Sequence, residues 1–226
     1  MQVLNGSAYD QAVNLYGIQY AMSYALRPLV SLSDSELQAY RQSAYDRLKA
    51  EQTSEGGWSW FPGMKASPYI TSQIAILLAR ANRPLTAYPL DGSLLQAAMK
   101  FLDKEMTNRM AECKQKKLQP YVGETEINYL YLCHLLDNKE TPTIRYWRNQ
   151  MGKDDVYAYT MYGKAVQAQI LAETKYKELA KTALQSVIEH TVASPEMGRY
   201  FDTQRALSGY ASYRIPTQVM TLEALQ

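Results

Sequence analysis

Gln52-Thr53-Ser54-Glu55-Gly56-Gly57-Trp58-Ser59-Trp60-Phe61 runs on through Pro62-Gly63-Met64 to Ser67-Pro68-Tyr69-Ile70-Thr71, where an apolar helix begins. The layout is a glycine pair, an aromatic cluster, a polar loop and a proline at a helix start, where its missing N–H has no intrahelical partner to lose. The layout recurs: Gly198-Arg199-Tyr200-Phe201 leads to Ile215-Pro216-Thr217-Gln218 and another helix. Units that repeat this way stack as helical hairpins, each burying an inner helix that it cannot bury alone.

Working outward, apolar residues recur at helical spacing in every long segment. Val13, Tyr16, Tyr20 and Tyr24 form one stripe and Leu15, Ile18, Met22 and Ala25 a second, which predicts a helix buried on two sides. Leu37, Tyr40, Ala44 and Leu48 predict a one-sided, peripheral helix capped by Asp34 or Ser35 with Glu36 in its first turn. Further helices follow from Ile70, Ile74, Leu77 and Leu78; from Leu94, Leu95, Ala98, Phe101 and Leu102; and from Ile127, Leu130, Tyr131 and Leu135. Val156, Tyr159, Val166 and Ile170 mark the next, Leu179, Ala183, Leu184, Val187 and Ile188 another, and Pro216 opens the last. No strand alternation of useful length is present. The expected fold is all-α: an α/α solenoid closed into a ring, or toroid, with two-sided inner and one-sided outer helices.

The 226 residues suffice for one sizeable core, so residues 1–226 read as a single domain. Hydrophobic residues at 46% and charged residues at 20% exclude a disordered chain. A net charge of only +2 argues against nucleic acid as a partner. The longest aliphatic run, Ile74 to Ala79, is far shorter than the roughly 20 residues that span a bilayer. Met1 to Gly6 carry neither the basic nor the apolar region of a signal peptide. Pro216 to Gln226 read as a helix in progress without a closing cap, so the chain reads as a piece of a longer one. Cys113 and Cys133 are too few for a disulfide framework and lack zinc spacing.

Gln52-Thr53-Ser54-Glu55-Gly56-Gly57-Trp58 resembles the Gln-x-x-x-Gly-x-Trp repeat of the α/α toroids, which include terpene cyclases, prenyltransferase β-subunits and the thioester domains of the α2-macroglobulin and complement family. Gly57 to Met64 with Tyr69-Ile70-Thr71 is similar to the bacterial α2-macroglobulin family more narrowly. Ile127-Asn128-Tyr129-Leu130-Tyr131, Met197-Gly198-Arg199-Tyr200-Phe201 and Ile215 to Ala224 resemble later segments of that domain in the same order, from about Tyr45 onward. The family's reactive group is an internal thioester made from Cys-x-Glu-Gln. Cys113 is followed by Lys114-Gln115-Lys116 and Cys133 by His134-Leu135-Leu136, so neither supplies it. Either the motif lies upstream of this piece or the thioester has been lost; no catalytic residue carries over.

Other chemistries have plainer readings. Cys113 beside Lys114, Lys116 and Lys117 has the setting of a lowered thiol pKa, yet also that of an incidental Cys at a solvated helix end. Cys133 and His134 are adjacent and so point about 100° apart on a helix; His134 reads as a hydrogen-bonded structural histidine, and His190 as one near a helix end. Asp154-Asp155 suits an N-cap better than a magnesium or acid motif. Glu124 and Glu126 face different sides of a helix and belong to its first turn. The 19 tyrosines suit a packed core more than a sugar-lined ring. Trp58, Trp60 and Phe61 read as anchors of the hairpin turn rather than a ligand platform.

No catalytic, cofactor or metal residue is expected. The resemblance implies a non-enzymatic role in the thioester domain of a protease inhibitor that traps attacking proteases, in the periplasm or cell envelope and often as a lipoprotein. Its partners would be the trapped proteases and neighbouring domains of the same chain, with no membrane contact by this piece. The competing expectation is a carbohydrate-active α/α-toroid enzyme, a polysaccharide lyase or hydrolase.

Overall fold

A computed structural model describes residues 6–82, 89–201 and 214–226. Helix makes up 65% of it, and the sheet seen among the described residues has two short strands, so the class is all-α. The signal-peptide reading of Met1 to Asn5 and the polar loop expected between Phe201 and Arg214 lie outside the described residues. The chain divides into two compact units, Met1–Lys117 with Leu135–Asp137, and Leu118–His134 with Asn138–Gln226.

The first unit holds α1 (Ala8–Ala21), α2 (Asp34–Glu51), α3 (Pro68–Ala81) and α4 (Ser93–Gln115). Ser7 and Asp10 close a capping box on α1, and Ser33 and Glu36 close another on α2. The cap of α2 is therefore Ser33, one residue before the expected Asp34: its hydroxyl reaches the Glu36 N–H, and the Glu36 carboxylate accepts from the Ser33 N–H in return. α1 packs on α2 and α3, and α3 also on α4. Leu37, Ala44 and Leu48 are the buried residues of the 18-residue α2, the one-sided helix expected. On α1 only the Leu15 and Ile18 side is buried, together with Ala8, Ala12, Gln11 and Gln19. The Val13 and tyrosine stripe is not: Val13 is exposed, and Tyr16 and Tyr20 pair with each other at 4.6 Å, partly exposed. α2 and α3 both pack on α1, and its buried residues lie on one broad sector, so among the described residues the tyrosine face is left outside that packing. α3 is buried nearly all round, with Ile70, Ile74, Ala75, Ile76, Leu78 and Ala79 in the core. Each of its larger aliphatic side chains contributes about 1.5 to 3 kcal/mol by leaving water.

The second unit holds α5 (Glu124–Leu135), α6 (Pro142–Met151), α7 (Met161–Leu171), α8 (Lys177–Glu189), the strands β1 (Val192–Ser194) and β2 (Gly198–Tyr200), and α9 (Arg214–Ala224). α5 buries every residue from Glu126 to Cys133, and α7 is buried on most sides against α6, α8 and α9. α8 is one-sided, burying Ala180, Ala183 and Val187. The period of 3.6 did not reveal α6, yet Thr141 caps it, Pro142 opens it, and Ile144, Trp147 and Met151 bury one stripe. Val156 and Tyr159 do not start α7: Val156–Ala158 form a 3-10 turn capped by Asp155, and Thr160 caps the true helix from Met161. α9 begins at Arg214, which puts Pro216 at its third position, still within the first turn where a missing N–H breaks no ladder bond. Gly198 opens a strand rather than a loop: β1 and β2 pair antiparallel with Val192 opposite Tyr200.

Candidate functional site

The Gln52 to Thr71 segment of the first unit is built as a joint. Gln52 ends α2 in extended geometry, and its side-chain amide donates to the Gly56 carbonyl at 2.8 Å and to the Leu94 carbonyl of α4 at 3.0 Å. Thr53 and Gly57 close the turn, with Thr53 N–H and Oγ1 both donating to the Gly57 carbonyl at 2.9 and 3.0 Å. Gly56 has φ +92°, and a Cβ there would lie 2.5 Å from the Ala97 carbonyl oxygen, so both conformation and space require glycine. A Cβ on Gly57 would meet Ala66, Thr71 and Phe101 at under 3 Å.

Trp58 then turns fully inward. Its N–H donates to Thr71 Oγ1 at 2.9 Å, its carbonyl accepts from the Ser67 N–H at 2.8 Å, and its indole Nε1 donates to the Leu48 carbonyl at 2.9 Å. The Leu48 carbonyl belongs to the last turn of α2, where carbonyls lack intrahelical donors, so the indole acts as a C-terminal cap as well as core.

The chain bends at Trp60 and Phe61, and Trp60 faces outward although it lies only two residues from the inward Trp58. Trp60 is 50% exposed, Phe61 67% and Met64 53%. Reading all three aromatics as anchors therefore holds for Trp58 alone. The exposed rings do not dangle: Ser59 Oγ donates to the Phe61 carbonyl at 2.7 Å, the Met64 N–H donates to the same carbonyl at 3.2 Å, and Trp60 stacks on Tyr69 at 5.6 Å with the planes 10° apart. Beside the loop is a cleft of about 620 Å³, walled by Trp60, Phe61, Pro62 and Met64 and by Ser7, Glu51, Thr53 and Ser59.

The other residues singled out by sequence are dispersed. Cys113 is half-buried near the end of α4, where its neighbour Lys116 is engaged by Glu112 at 2.6 Å; Cys133 is buried in α5, and the two are not joined in a disulfide. His134 is exposed rather than a buried structural residue, because α5 turns its last residues out of the core; it lines a second cleft of about 390 Å³ with Gln169, Lys177 and Glu223. His190 caps α8, its Nδ1 2.7 Å from the Ser186 carbonyl. Asp155 caps the 3-10 turn, and Asp154 accepts from Tyr159 Oη at 2.6 Å. Burial foremost, then that carboxylate, pushes the Tyr159 phenol far above its usual range. Glu124 and Glu126 occupy the first turn of α5, and Glu126 is buried, accepting from the Gly123 N–H at 2.9 Å. Tyr129 and Tyr131 are packed in the core, Tyr131 donating to Glu223 at 2.6 Å. Burial also lowers the Lys164 ammonium, whose Nζ donates to Ser186 Oγ at 2.9 Å. This buried lysine sits in α7 between apolar neighbours, and nothing in the 3.6 period distinguished it from a surface lysine.

Among the described residues no group of three or more His, Cys, Asp or Glu side chains converges in a way that would hold a metal ion. No described helix is long and apolar enough to cross a membrane. Compared with known proteins, the chain matches no family model and no curated protein.

Proposed function

We propose that this chain is part of an α/α-toroid domain of the thioester type, in a bacterial α2-macroglobulin-like protease inhibitor of the cell envelope, and that its role there is structural. The supporting observation is the joint made by Gln52, Gly56 and Trp58. Gln52 ties the end of one helix to the start of another 42 residues on, Gly56 allows the backbone to approach α4, and Trp58 caps α2 while filling the core. A stack of helical hairpins needs such a joint where an outer helix hands over to the next inner one. In this reading trapped proteases and neighbouring domains are the partners. In that family the activated acyl group is made from Cys-x-Glu-Gln, a context that neither Cys113 nor Cys133 has, so in this reading the group lies elsewhere in a longer chain or has been lost.

The test uses the product of the complete reading frame that encodes this chain. Incubated with trypsin, it is expected to suppress cleavage of casein while leaving cleavage of a small chromogenic peptide intact. Undiminished casein cleavage, or release of reducing ends from a polysaccharide, overturns the proposal.

A further inference from the structure

The cleft beside the aromatic loop supports an inference that goes beyond the scaffold role and stands independently of it. Its hydroxyls have committed their protons: Ser7 Oγ donates to Asp10 Oδ2 at 2.8 Å, Thr53 Oγ1 to the Gly57 carbonyl at 3.0 Å, and Ser59 Oγ to the Phe61 carbonyl at 2.7 Å. What each offers to the cleft is lone pairs. Glu51, exposed at the end of α2, adds a carboxylate that only accepts and makes no ion pair among the described residues. The positive end of α1 also borders the cleft, and Asp10 offsets it by accepting from the Ser7 N–H at 2.8 Å. Apart from the Trp60 indole N–H, no lining side chain among the described residues has an uncommitted polar hydrogen.

The rest of the lining is largely π surface. Tyr69 covers one face of the Trp60 ring, and half of the indole stays exposed, with Phe61 and Met64 beside it. Aromatic faces carry the negative part of a quadrupole and attract cations, Trp most strongly. Because the loop is held by its own hydrogen bonds, the wall is formed before any ligand arrives, which reduces the ordering cost of binding.

Three properties therefore converge: acceptors in excess, a negative charge and a flat π wall. An anion is repelled by Glu51, and a sugar's many acceptors would find few donors. A group with donors only, a positive charge and a planar shape matches all three, and among side chains that group is the guanidinium, which also stacks on aromatic rings and sheds water more readily than an ammonium. We infer that the Trp60–Glu51 cleft binds an arginine side chain presented by a basic peptide segment.

The probe is acetyl-Ala-Arg-Arg-Ala-amide, followed by the indole N–H signals of the 15N-labelled chain, whose three tryptophans are Trp58, Trp60 and Trp147. The Trp60 signal is expected to shift saturably while the others hold. A citrulline-for-arginine peptide, equal in shape but uncharged, is expected to bind about fivefold more weakly or worse, the size of a cation–π contribution. Glu51→Gln is expected to weaken the arginine peptide comparably, and Trp60→Ala, followed by the backbone amide signals of Ser59, Phe61 and Met64, to remove saturable binding, with helical circular dichroism unchanged in both. Equal binding of the citrulline or a lysine counterpart overturns the assignment. So does a Trp60 shift with maltotriose instead, or no shift at about 10 mM peptide, where even a contact of ~3 kcal/mol is visible.

Discussion

The indole Nε1 of Trp58 donates to the Leu48 carbonyl at 2.9 Å, ten residues back in the chain, and this bond joins the core of the first unit to the open end of α2. The residue thus has two separable contributions, volume and a hydrogen bond.

Trp58→Ala removes both. It is expected to destabilise by about 3 to 5 kcal/mol, the cost of truncating a fully buried large side chain. Trp58→Phe keeps most of the volume and strands the Leu48 carbonyl, at about 1 to 3 kcal/mol. Urea melts followed by circular dichroism distinguish the two; a Trp58→Ala chain melting like the native one would contradict the core role.

Gly56→Ala places a Cβ 2.5 Å from the Ala97 carbonyl at a φ of +92°. The expected loss is at least about 2 kcal/mol, since strain of this kind costs on the order of 1 to 3 kcal/mol before the clash is counted. Gly63, at φ +83° with open space around it, bears strain alone and should cost less in the same melts.

Tyr159 predicts an alkaline limit. Its phenol is raised above the usual value in the folded chain, chiefly by burial, so the folded state holds its proton after the unfolded chain has released it. The stabilisation is fully present below about pH 10, the unfolded value, and is lost as pH climbs from there toward the folded value. Tyr159→Phe should flatten the fall in stability above pH 10 while also losing the Asp154 hydrogen bond at neutral pH. An unchanged alkaline limb would reject the assignment to this tyrosine.

A thioester requires a Cys sulfur joined to a Gln carbonyl within one short motif, and Cys113 and Cys133 both lack Glu-Gln at the necessary offsets. The chain alone is therefore expected to form no covalent adduct with a protease and to release no thiol on methylamine treatment. Mass spectrometry after denaturation checks both; methylamine incorporated at any glutamine would place a reactive acyl group within these residues.

What the sequence determined by itself was local. Helical period set the all-α class, and Gln52, Gly56 and Trp58 marked a joint because each has a short-range geometric task; the α2 cap was read one residue late, at Asp34 or Ser35 instead of Ser33. α6 was missed, since Ile144, Trp147 and Met151 form a short stripe among Arg145, Arg148, Asn149 and Gln150. Only tertiary structure decided which stripes are covered. Val13, Tyr16 and Tyr20 have the same spacing as a buried face, but burial depends on a second helix lying across from them, and α2 and α3 both lie on the Leu15 side. Trp58 and Trp60 are alike in the sequence and opposite in the fold, because the Thr71, Ser67 and Leu48 partners that pin Trp58 inward are 13, 9 and 10 residues away, while the chain bends at Trp60 and leaves its ring half exposed.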